Sequence, residues 1–210
     1  MALRRRLRRR KEPVRALPAQ ARRRDPLALF HDWFEEARAA GVEVPETMTL
    51  ATADGDGRPS ARMMLLKSAD ARGFTFFTGY ESRKGRELAE NPGAALVFHW
   101  QPLGRQVRVE GSVRRLSAEE SDSYWATRPR RSRAAAAASR QSEPIGSREQ
   151  LVAEFEARLA AGEVPRPERW GGYLLEPEAI ELWQHRDDRL HERLRFTRTR
   201  DGWREQRLSP

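Results

Sequence analysis

Lysine is rare in this sequence, and one lysine stands where a cation could meet a bound anion. Lys11, Lys67 and Lys84 are the three lysines among 40 basic residues. Lys84 follows Ser82 and Arg83 at the start of a helical pattern. A helix start offers free backbone N–H groups and the positive end of the helix dipole to an anion. The added hydroxyl and two cations predict a phosphate-binding site, with an ordinary capped helix start as the alternative.

An extended run at residues 60–67 carries two further cations. Arg62 could complete the predicted phosphate site from a neighbouring strand. Lys67 lies five residues farther along, so regular alternation places it on the opposite face of the strand unless a bulge intervenes. We therefore expect Arg62 and Lys67 to have different partners.

A second group of candidate anion ligands surrounds a predicted helix end near Pro129. Tyr124, Arg128, Arg130 and Ser132 follow one another there. Arginine binds phosphate through two parallel hydrogen bonds, and hydroxyl groups add directional ones. This group predicts a second anion site, although an exposed helix end explains the same residues almost as well.

A third candidate lies near the C-terminus, where residues 189–193 read Arg-Leu-His-Glu-Arg. Alternation in a predicted strand would place Arg189, His191 and Arg193 on one face. Such a face could contact a ligand, and a solvated face is the alternative.

Common catalytic templates are missing from the sequence. It contains no glycine-rich nucleotide loop, no His-Glu-x-x-His and no Gly-x-Ser-x-Gly. Four histidines and no cysteine exclude disulfides and thiol catalysis and argue against a metal site. The side chains of the protein alone therefore offer little redox chemistry.

The elements that must position these residues are mostly short strands. Asp25 and Pro26 predict the start of a helix that ends at Gly41, and capping patterns at Ser117 and Ser147 predict two more. Extended patterns predict a strand from residue 47 and further strands at residues 60–67, 74–78, 94–100, 105–113, 173–175, 179–183, 194–197 and 203–208. We predict a mainly β protein with peripheral helices (α+β), arranged as an antiparallel barrel.

The charge of the chain is concentrated at its N-terminus. Residues 1–24 carry a net charge of +10, whereas the whole chain carries +9. We predict a disordered, arginine-rich tail at 1–24 and one domain at 25–210, with polyanion contact as an alternative role for the tail. Nucleic-acid binding by the domain is not predicted. No apolar run is long enough for a membrane span, so we expect a soluble, cytoplasmic protein.

Read in order, the motifs resemble the pyridoxamine 5'-phosphate oxidase family over residues 25–210. The matching stretches are Arg-Met-Met-Leu-Leu-Lys at 62–67, Ser-Arg-Lys-Gly at 82–85, Arg-Gln-Val at 105–107, Arg-Pro-Arg at 128–130, Ser-Arg-Gln-Ser at 139–142, Trp-Gly-Gly at 170–172, Trp-Gln at 183–184 and Arg-Leu-His at 189–191. The resemblance implies an FMN-binding split β-barrel that works as a homodimer, with FMN at the subunit interface.

The resemblance also implies a reaction in vitamin B6 metabolism. Pyridoxamine 5'-phosphate or pyridoxine 5'-phosphate would be oxidised to pyridoxal 5'-phosphate, with oxygen as the electron acceptor and hydrogen peroxide as a product. The protein would orient the substrate ring against the flavin, which does the redox chemistry.

The matching positions imply a set of site residues. Those implied for the flavin are Arg62, Met63, Met64, Leu65, Leu66, Lys67, Phe77, Thr78, Arg83, Lys84, Gln106, Gln141, Ser142, Trp183 and Arg193. Those implied for the substrate are Lys67, Tyr124, Arg128, Ser132, Arg189, Leu190 and His191, with Arg189 and His191 at the reacting end.

Some positions depart from the family pattern. Alanines at 134–138 stand where Gly-Ala-Trp is usual, Phe77 replaces a common tyrosine, and His185-Arg186 replaces a glycine. No Arg-x-x-Tyr element precedes Asp25. These departures lie on the substrate side, so two alternatives remain open: a sister oxidase of the phenazine-biosynthesis type, and a noncatalytic flavin-binding protein.

Overall fold

The computed structural model describes residues 25–210, and the tail predicted at 1–24 lies outside them. The helices are α1 (Pro26–Ala39), α2 (Arg83–Glu90), α3 (Ala118–Thr127), α4 (Arg130–Ala138) and α5 (Arg148–Ala160). The strands are β1 (Thr47–Ala53), β2 (Pro59–Leu65), β3 (Ser68–Asp70), β4 (Gly73–Gly79), β5 (Gly93–Trp100), β6 (Arg105–Arg115), β7 (Trp170–Gln184), β8 (Glu192–Thr199) and β9 (Gly202–Leu208). Within residues 25–210, no helix combines the length and the apolar character needed to cross a membrane.

The described strands form one antiparallel sheet in the order β2-β1-β5-β6-β7-β4-β3, to which β8 and β9 are added beside β7. The two end strands of that order, β2 and β3, are separated in the chain by Leu66 and Lys67 alone. The Leu66 N–H donates to the Glu46 carbonyl at 2.9 Å, and the Lys67 N–H donates to the Thr75 carbonyl at 2.8 Å. The sheet therefore curls until its ends nearly meet, which confirms the predicted mainly β, split-barrel fold.

The break at residues 66 and 67 corrects the predicted strand at 60–67. The chain leaves β1 after Leu65 and joins β4 at Lys67, so the strand changes its pairing partner. Strand alternation therefore does not fix the direction of the Lys67 side chain, which is exposed.

The long strand β7 has two different neighbours on one side. Its residues 170–175 pair with β4 and its residues 179–184 pair with β8, while β6 pairs with both halves. Pro177 lies opposite Gly111 at a shift in register, a position where a strand tolerates proline. The prediction of separate strands at 173–175 and 179–183 was therefore wrong, because the proline interrupts the pattern without ending the strand.

Helix α1 covers the main core. Asp25 accepts a hydrogen bond from the Leu27 N–H at 3.1 Å, which confirms the predicted N-cap. Phe30 is 1% exposed, and its ring centroid lies 5.0 Å from that of Phe74 and 5.1 Å from that of Phe98. These edge-to-face contacts stabilise the packing of α1 against β4 and β5.

A second, smaller core supports the end of the barrel near α3 and α4. Trp125 and Trp170 pack there against Ala134 and Ala137. The Trp125 indole N–H donates to the Val164 carbonyl at 2.9 Å. The alanine-rich segment forms helix α4, as its composition predicts, and its small side chains allow close packing against the tryptophans.

We expect replacement of Phe30 by alanine to destabilise the fold. Loss of a buried phenylalanine costs roughly 3–5 kcal/mol, which in a domain of this size lowers Tm by roughly 6–20 °C. Glu35→Ala on the exposed side of the same helix is the control, because surface ion pairs contribute less than about 1 kcal/mol. Thermal unfolding followed by circular dichroism measures both, and equal Tm values for the two variants would contradict this account of the core.

Candidate functional site

Arg62 is held on the barrel surface by hydroxyl groups and a carboxylate. Its guanidinium donates to Thr52 Oγ1 at 2.5 Å and to Ser60 Oγ, and it lies 3.1 Å from Glu87 Oε2. Pairing of β1 with β2 places Ser60 opposite Thr52. Glu87 belongs to α2 and contacts both hydroxyl groups. Contacts between the sheet and the helix therefore fix the orientation of Arg62.

Glu87 is the buried anion of this cluster. It is 5% exposed and also accepts a hydrogen bond from Arg83 Nε at 2.8 Å. Burial alone would raise the pKa of Glu87, but the hydrogen bonds from Thr52, Ser60, Arg83 and Arg62 lower it to about 2. Glu87 is thus ionised at neutral pH and orients Arg62 and Arg83 together.

Lys84 is buried beside this cluster and points at neutral oxygen atoms. Its Nζ lies 3.1 Å from Thr78 Oγ1, 3.1 Å from Ser82 Oγ and 3.0 Å from Gln141 Oε1. Among the described residues no carboxylate forms an ion pair with Lys84. A buried cation surrounded by neutral acceptors is well suited to bind an anion.

The pKa of Lys84 reflects these surroundings. Burial lowers it, the positive charge of Arg62 lowers it further, and Glu87 only partly opposes them, so that the pKa is about 8. An arriving phosphate would favour the charged form of the amine.

The start of α2 packs closely against the preceding turn. The helix starts where it was predicted to start, with Ser82 as the N-cap, and the Ser82 side chain accepts a hydrogen bond from the Gly85 N–H. A Cβ atom at Gly85 would lie 2.1 Å from the Tyr80 carbonyl oxygen. A side chain at this position would push the helix start away, so the glycine keeps the N–H groups and Lys84 in place.

The charges of this region fit a phosphate monoester. Arg62, Arg83 and Lys84 face one carboxylate, Glu87. The excess of positive charge matches the charge of about −2 on a phosphate monoester at pH 7. The residues present therefore fit the phosphate group that the sequence predicts here.

A pocket of about 430 Å³ adjoins the predicted phosphate-binding region. It brings together residues predicted for the flavin and residues predicted for the substrate. Its predicted flavin residues are Met64, Phe77, Thr78 and Gln141, and its predicted substrate residues are Arg128 and Ser132. The separate motifs at 62–67, 128–132 and 139–142 thus meet at one place in the fold.

Aromatic rings form one wall of this region. The Phe77 ring stacks on Tyr124 with a centroid distance of 3.8 Å and lies 5.6 Å from Trp170. The Arg128 guanidinium lies 4.5 Å from the Trp170 ring centroid. Its Nε is buried without a hydrogen-bond partner among the described residues, and burial lowers the pKa of Arg128. Because Nε is buried, only the other atoms of the Arg128 guanidinium can contact a ligand in the pocket.

A second group of predicted flavin residues lies on β6, β7 and β8. Gln106 pairs with Trp183, and Trp183 pairs with Arg193. Trp183 is separated along β7 from Gly172, which pairs with Phe77, by about 35 Å of extended strand. The predicted flavin residues therefore fall into two groups, one at the pocket and one on β6, β7 and β8.

Residues 189–191 follow a turn at Asp187 and Asp188 and precede the next strand, so their prediction as part of a strand was wrong. β8 begins at Glu192, and Arg189 has a left-handed φ of 71°. The Leu190 N–H donates to Asp188 Oδ1 at 2.9 Å, a side-chain contact that favours a turn. Arg189 and Leu190 are exposed, while the His191 ring lies 4.7 Å from the Trp183 ring. Arg193 alone of the three predicted residues lies in the strand.

The rest of the predicted stretch at 62–67 divides between surface and core. Met63 is 62% exposed and Leu65 is 43% exposed, whereas Leu66 is 5% exposed. Lys67 and Ser142 are exposed and do not line the pocket. Within the stretch 62–67, Met64 alone lines the pocket, whereas Met63, Leu65, Leu66, Lys67 and Ser142 lie outside it.

Sequence reasoning missed several residues of the site. Thr52, Ser60 and Glu87 orient the predicted phosphate ligands, and Arg169 and Trp170 line the pocket. Glu87 could have been found from its spacing, because it lies one helical turn after Arg83. The long-range contacts to Thr52 and Ser60 leave no comparable local signal.

Comparison with known families agrees with this arrangement. Residues 34–160 match the family described as Pyridoxamine 5'-phosphate oxidase, and residues 170–210 match the Pyridoxine 5'-phosphate oxidase C-terminal dimerisation region. The second match indicates a homodimer and contains Trp183 and Arg193.

Individual relatives cover most of the chain. A protein of Rubrobacter xylanophilus named pyridoxine/pyridoxamine 5'-phosphate oxidase is 57% identical over 189 residues, which are 89% of this chain and 87% of that protein. A protein of the same name from Paraburkholderia phytofirmans is 56% identical over 191 residues, which are 89% of this chain and 90% of that protein.

Solved structures show the same fold. PhzG from Burkholderia lata 383, in complex with tetrahydrophenazine-1-carboxylic acid, superposes with a TM-score of 0.90 at 38% identity, covering 94% of this chain and 99% of that one. A pyridoxamine 5'-phosphate oxidase-related, FMN-binding protein from Nostoc punctiforme superposes with a TM-score of 0.72 at 16% identity, covering 87% and 96%. The second likeness supports the fold alone.

The family matches favour an enzyme over a noncatalytic flavin-binding protein. Because both parts of the domain match the family and several relatives exceed 50% identity, this chain belongs to the pyridoxamine 5'-phosphate oxidase family of flavin-dependent oxidases.

Proposed function

We propose that this protein oxidises pyridoxamine 5'-phosphate, pyridoxine 5'-phosphate or both to pyridoxal 5'-phosphate, using FMN and oxygen. The names of the relatives at 56–57% identity support this substrate class. The observation that carries the proposal is the pocket in which Arg128 and Ser132 adjoin Phe77, Thr78 and Gln141. A phosphorylated ring could there lie against a flavin.

The flavin phosphate is assigned to the cluster around Lys84. Arg62, Arg83 and Lys84 would bind it, and Glu87 would hold the two arginines in position. The buried amine and the excess of positive charge support a cofactor with a phosphate monoester, which favours FMN among flavins.

The remaining flavin contacts are assigned to the partner subunit. Gln106, Trp183 and Arg193 lie on the other group of strands, and the last two fall in the matched dimerisation region. In this proposal each flavin lies at the subunit interface, between the pocket of one protomer and β6, β7 and β8 of the other.

The substrate phosphate is assigned to Arg128 and Ser132, with Tyr124 and Lys67 completing its surroundings. The position of Arg128 and Ser132 in the pocket wall supports this role. Bound FMN would supply the redox chemistry by taking up a hydride equivalent from C4' of the substrate and passing electrons to oxygen, which yields hydrogen peroxide. The aromatic wall would orient the substrate ring. With pyridoxamine 5'-phosphate as substrate, water would then hydrolyse the oxidised imine to the aldehyde and release ammonia.

Arg189, Leu190 and His191 are assigned to the reacting end of the substrate. The Arg186 backbone N–H donates to His191 Nδ1 at 3.1 Å, so that in neutral His191 the proton is carried by Nε2. His191 would therefore donate a hydrogen bond from Nε2 to the substrate. Arg189 directly follows the adjacent turn and would supply a positive charge.

A second candidate substrate is a reduced phenazine precursor. The likeness to PhzG, with a TM-score of 0.90, favours it, as do Ala135 and Ala136 in the pocket wall, because small side chains leave room for a larger ring. Arg128 and Ser132 favour a phosphorylated substrate instead.

The proposal predicts a specific pair of products. Aerobic incubation of the FMN-loaded protein with pyridoxamine 5'-phosphate, and separately with pyridoxine 5'-phosphate, should give pyridoxal 5'-phosphate and hydrogen peroxide. The aldehyde is followed by its absorbance and the peroxide by a coupled peroxidase. Arg128→Ala should raise KM at least about tenfold, because hydrogen bonds to charged groups contribute about 1.5–3 kcal/mol. Absence of both products with either phosphate would refute the substrate assignment.

The pKa of Lys84 predicts how FMN affinity depends on pH. Because the amine of the free protein titrates with a pKa of about 8 and binding requires its charge, affinity should be constant near pH 7 and fall as pH rises through 8 to 9. The phosphate is already dianionic in this range. Quenching of flavin fluorescence on the apoprotein measures the affinity. Lys84→Arg keeps its charge and should show a weaker decline; an equal decline would contradict the role of Lys84.

We expect Arg189→Ala to reduce kcat while FMN stays bound. The residue lies just before β8, outside the group of residues assigned to the flavin phosphate. The flavin content of the purified variant and its steady-state kinetics measure the two effects separately. Loss of the flavin would show that Arg189 is a cofactor ligand instead.

A further inference from the structure

The sheet formed by β6, β7 and β8 has one apolar and one charged face. Val107, Leu182 and Leu194 are fully buried on the core side. The opposite face carries Gln106, Trp183 and Arg193, which are assigned to the flavin, and continues into a group of ion pairs. Those further residues are Arg108, Glu110, Glu181 and Arg195.

Glu181 is the buried carboxylate of this face. It is 3% exposed, and its Oε1 accepts a hydrogen bond from Arg193 Nε at 2.8 Å. Its Oε2 lies 3.9 Å from Arg108 Nη1 and 4.0 Å from Arg195 Nη1, without a hydrogen bond from any described residue. Removing a carboxylate from water is costly unless it is fully hydrogen-bonded. The contribution of Glu181 to the stability of the fold therefore does not by itself explain its burial.

Arg193 is fixed by two of its three nitrogen atoms. Nε donates to Glu181, and Nη1 donates to the Ser209 carbonyl at 3.0 Å. Nη2 makes no hydrogen bond to the described part of the chain, and the side chain is 26% exposed. Arg193 pairs with Trp183 in the sheet, so the unused edge of the guanidinium lies at the assigned flavin surface.

We propose that Glu181 is a positioning residue for the cofactor. It holds the Arg193 guanidinium in one orientation, so that Nη2 is ready to donate to the flavin before the flavin binds. This inference rests on the proposed FMN function. A guanidinium fixed in advance loses less conformational freedom on binding than a mobile one, and affinity increases accordingly.

The chain offers a matched control for this proposal. Glu110 belongs to the same network and accepts hydrogen bonds from Arg108 at 2.6 Å and from Arg195 at 2.8 Å. It makes no contact with Arg193 in the structure. Glu181→Gln and Glu110→Gln remove the same charge, but only the first alters the partner of Arg193.

The test measures FMN affinity by fluorescence quenching on the apoproteins, together with their Tm. We expect Glu181→Gln to weaken binding about tenfold, as loss of a supporting contact behind a ligand does at other sites, and Glu110→Gln to leave binding nearly unchanged. Equal effects of the two variants, or unchanged affinity in Glu181→Gln, would overturn the proposal. Glu181→Asp retains a carboxylate and provides a second variant if Glu181→Gln fails to fold. Its shorter side chain moves the carboxylate away from Arg193 Nε, which lies 2.8 Å from Glu181 Oε1. We therefore expect weaker FMN binding in Glu181→Asp, and unchanged affinity would overturn the proposal.

A double-mutant cycle shows whether Glu181 acts through Arg193. If it does, Glu181→Gln combined with Arg193→Gln should bind FMN no more weakly than Arg193→Gln alone. Affinity losses that multiply would overturn the proposal, because they would mean that Glu181 acts by another route. The wild-type protein separates the two levels of inference: failure of wild-type apoprotein to bind FMN refutes the proposed function, whereas normal wild-type binding with multiplying losses refutes only the role of Glu181.

Discussion

Strand β7 pairs with three neighbours, and these pairings position both groups of candidate site residues. Its first half pairs with β4 and its second half with β8, while β6 runs beside both. Antiparallel pairing fixes the register, and a slip of one residue would turn every side chain to the other face. The same strand therefore sets the position of the pocket near Trp170 and of the C-terminal charged face near Trp183.

Buried carboxylates organise the cations in both places. Glu87 orients Arg62 and Arg83 at the pocket, and Glu181 contacts Arg193 on the C-terminal strands. In each case an arginine that would otherwise be mobile is held by a partner on a neighbouring element. The long arginine side chains can extend to a ligand, and their ion pairs with packed carboxylates limit the number of conformations that they adopt.

Local signals in the sequence predicted much of the fold and part of the site. The Asp25 cap and the Ser117 capping box are present as predicted, because caps depend on residues close in sequence. The break at Lys67, the continuous strand through Pro177 and the turn before Arg189 were not predictable, since each depends on distant pairing. The order of the motifs in the sequence identified the segments that meet at the pocket. The roles of the individual residues stay predictions.

The two separated groups on β7 have a thermodynamic consequence. In the proposed arrangement one protomer holds only half of each cofactor site, so cofactor binding and subunit association are linked equilibria. Each favours the other by the same free energy. Dilution that separates the subunits would release the cofactor, and a cell short of the cofactor would hold more of the protein as monomers. In that arrangement the dimer interface would also respond to cofactor supply.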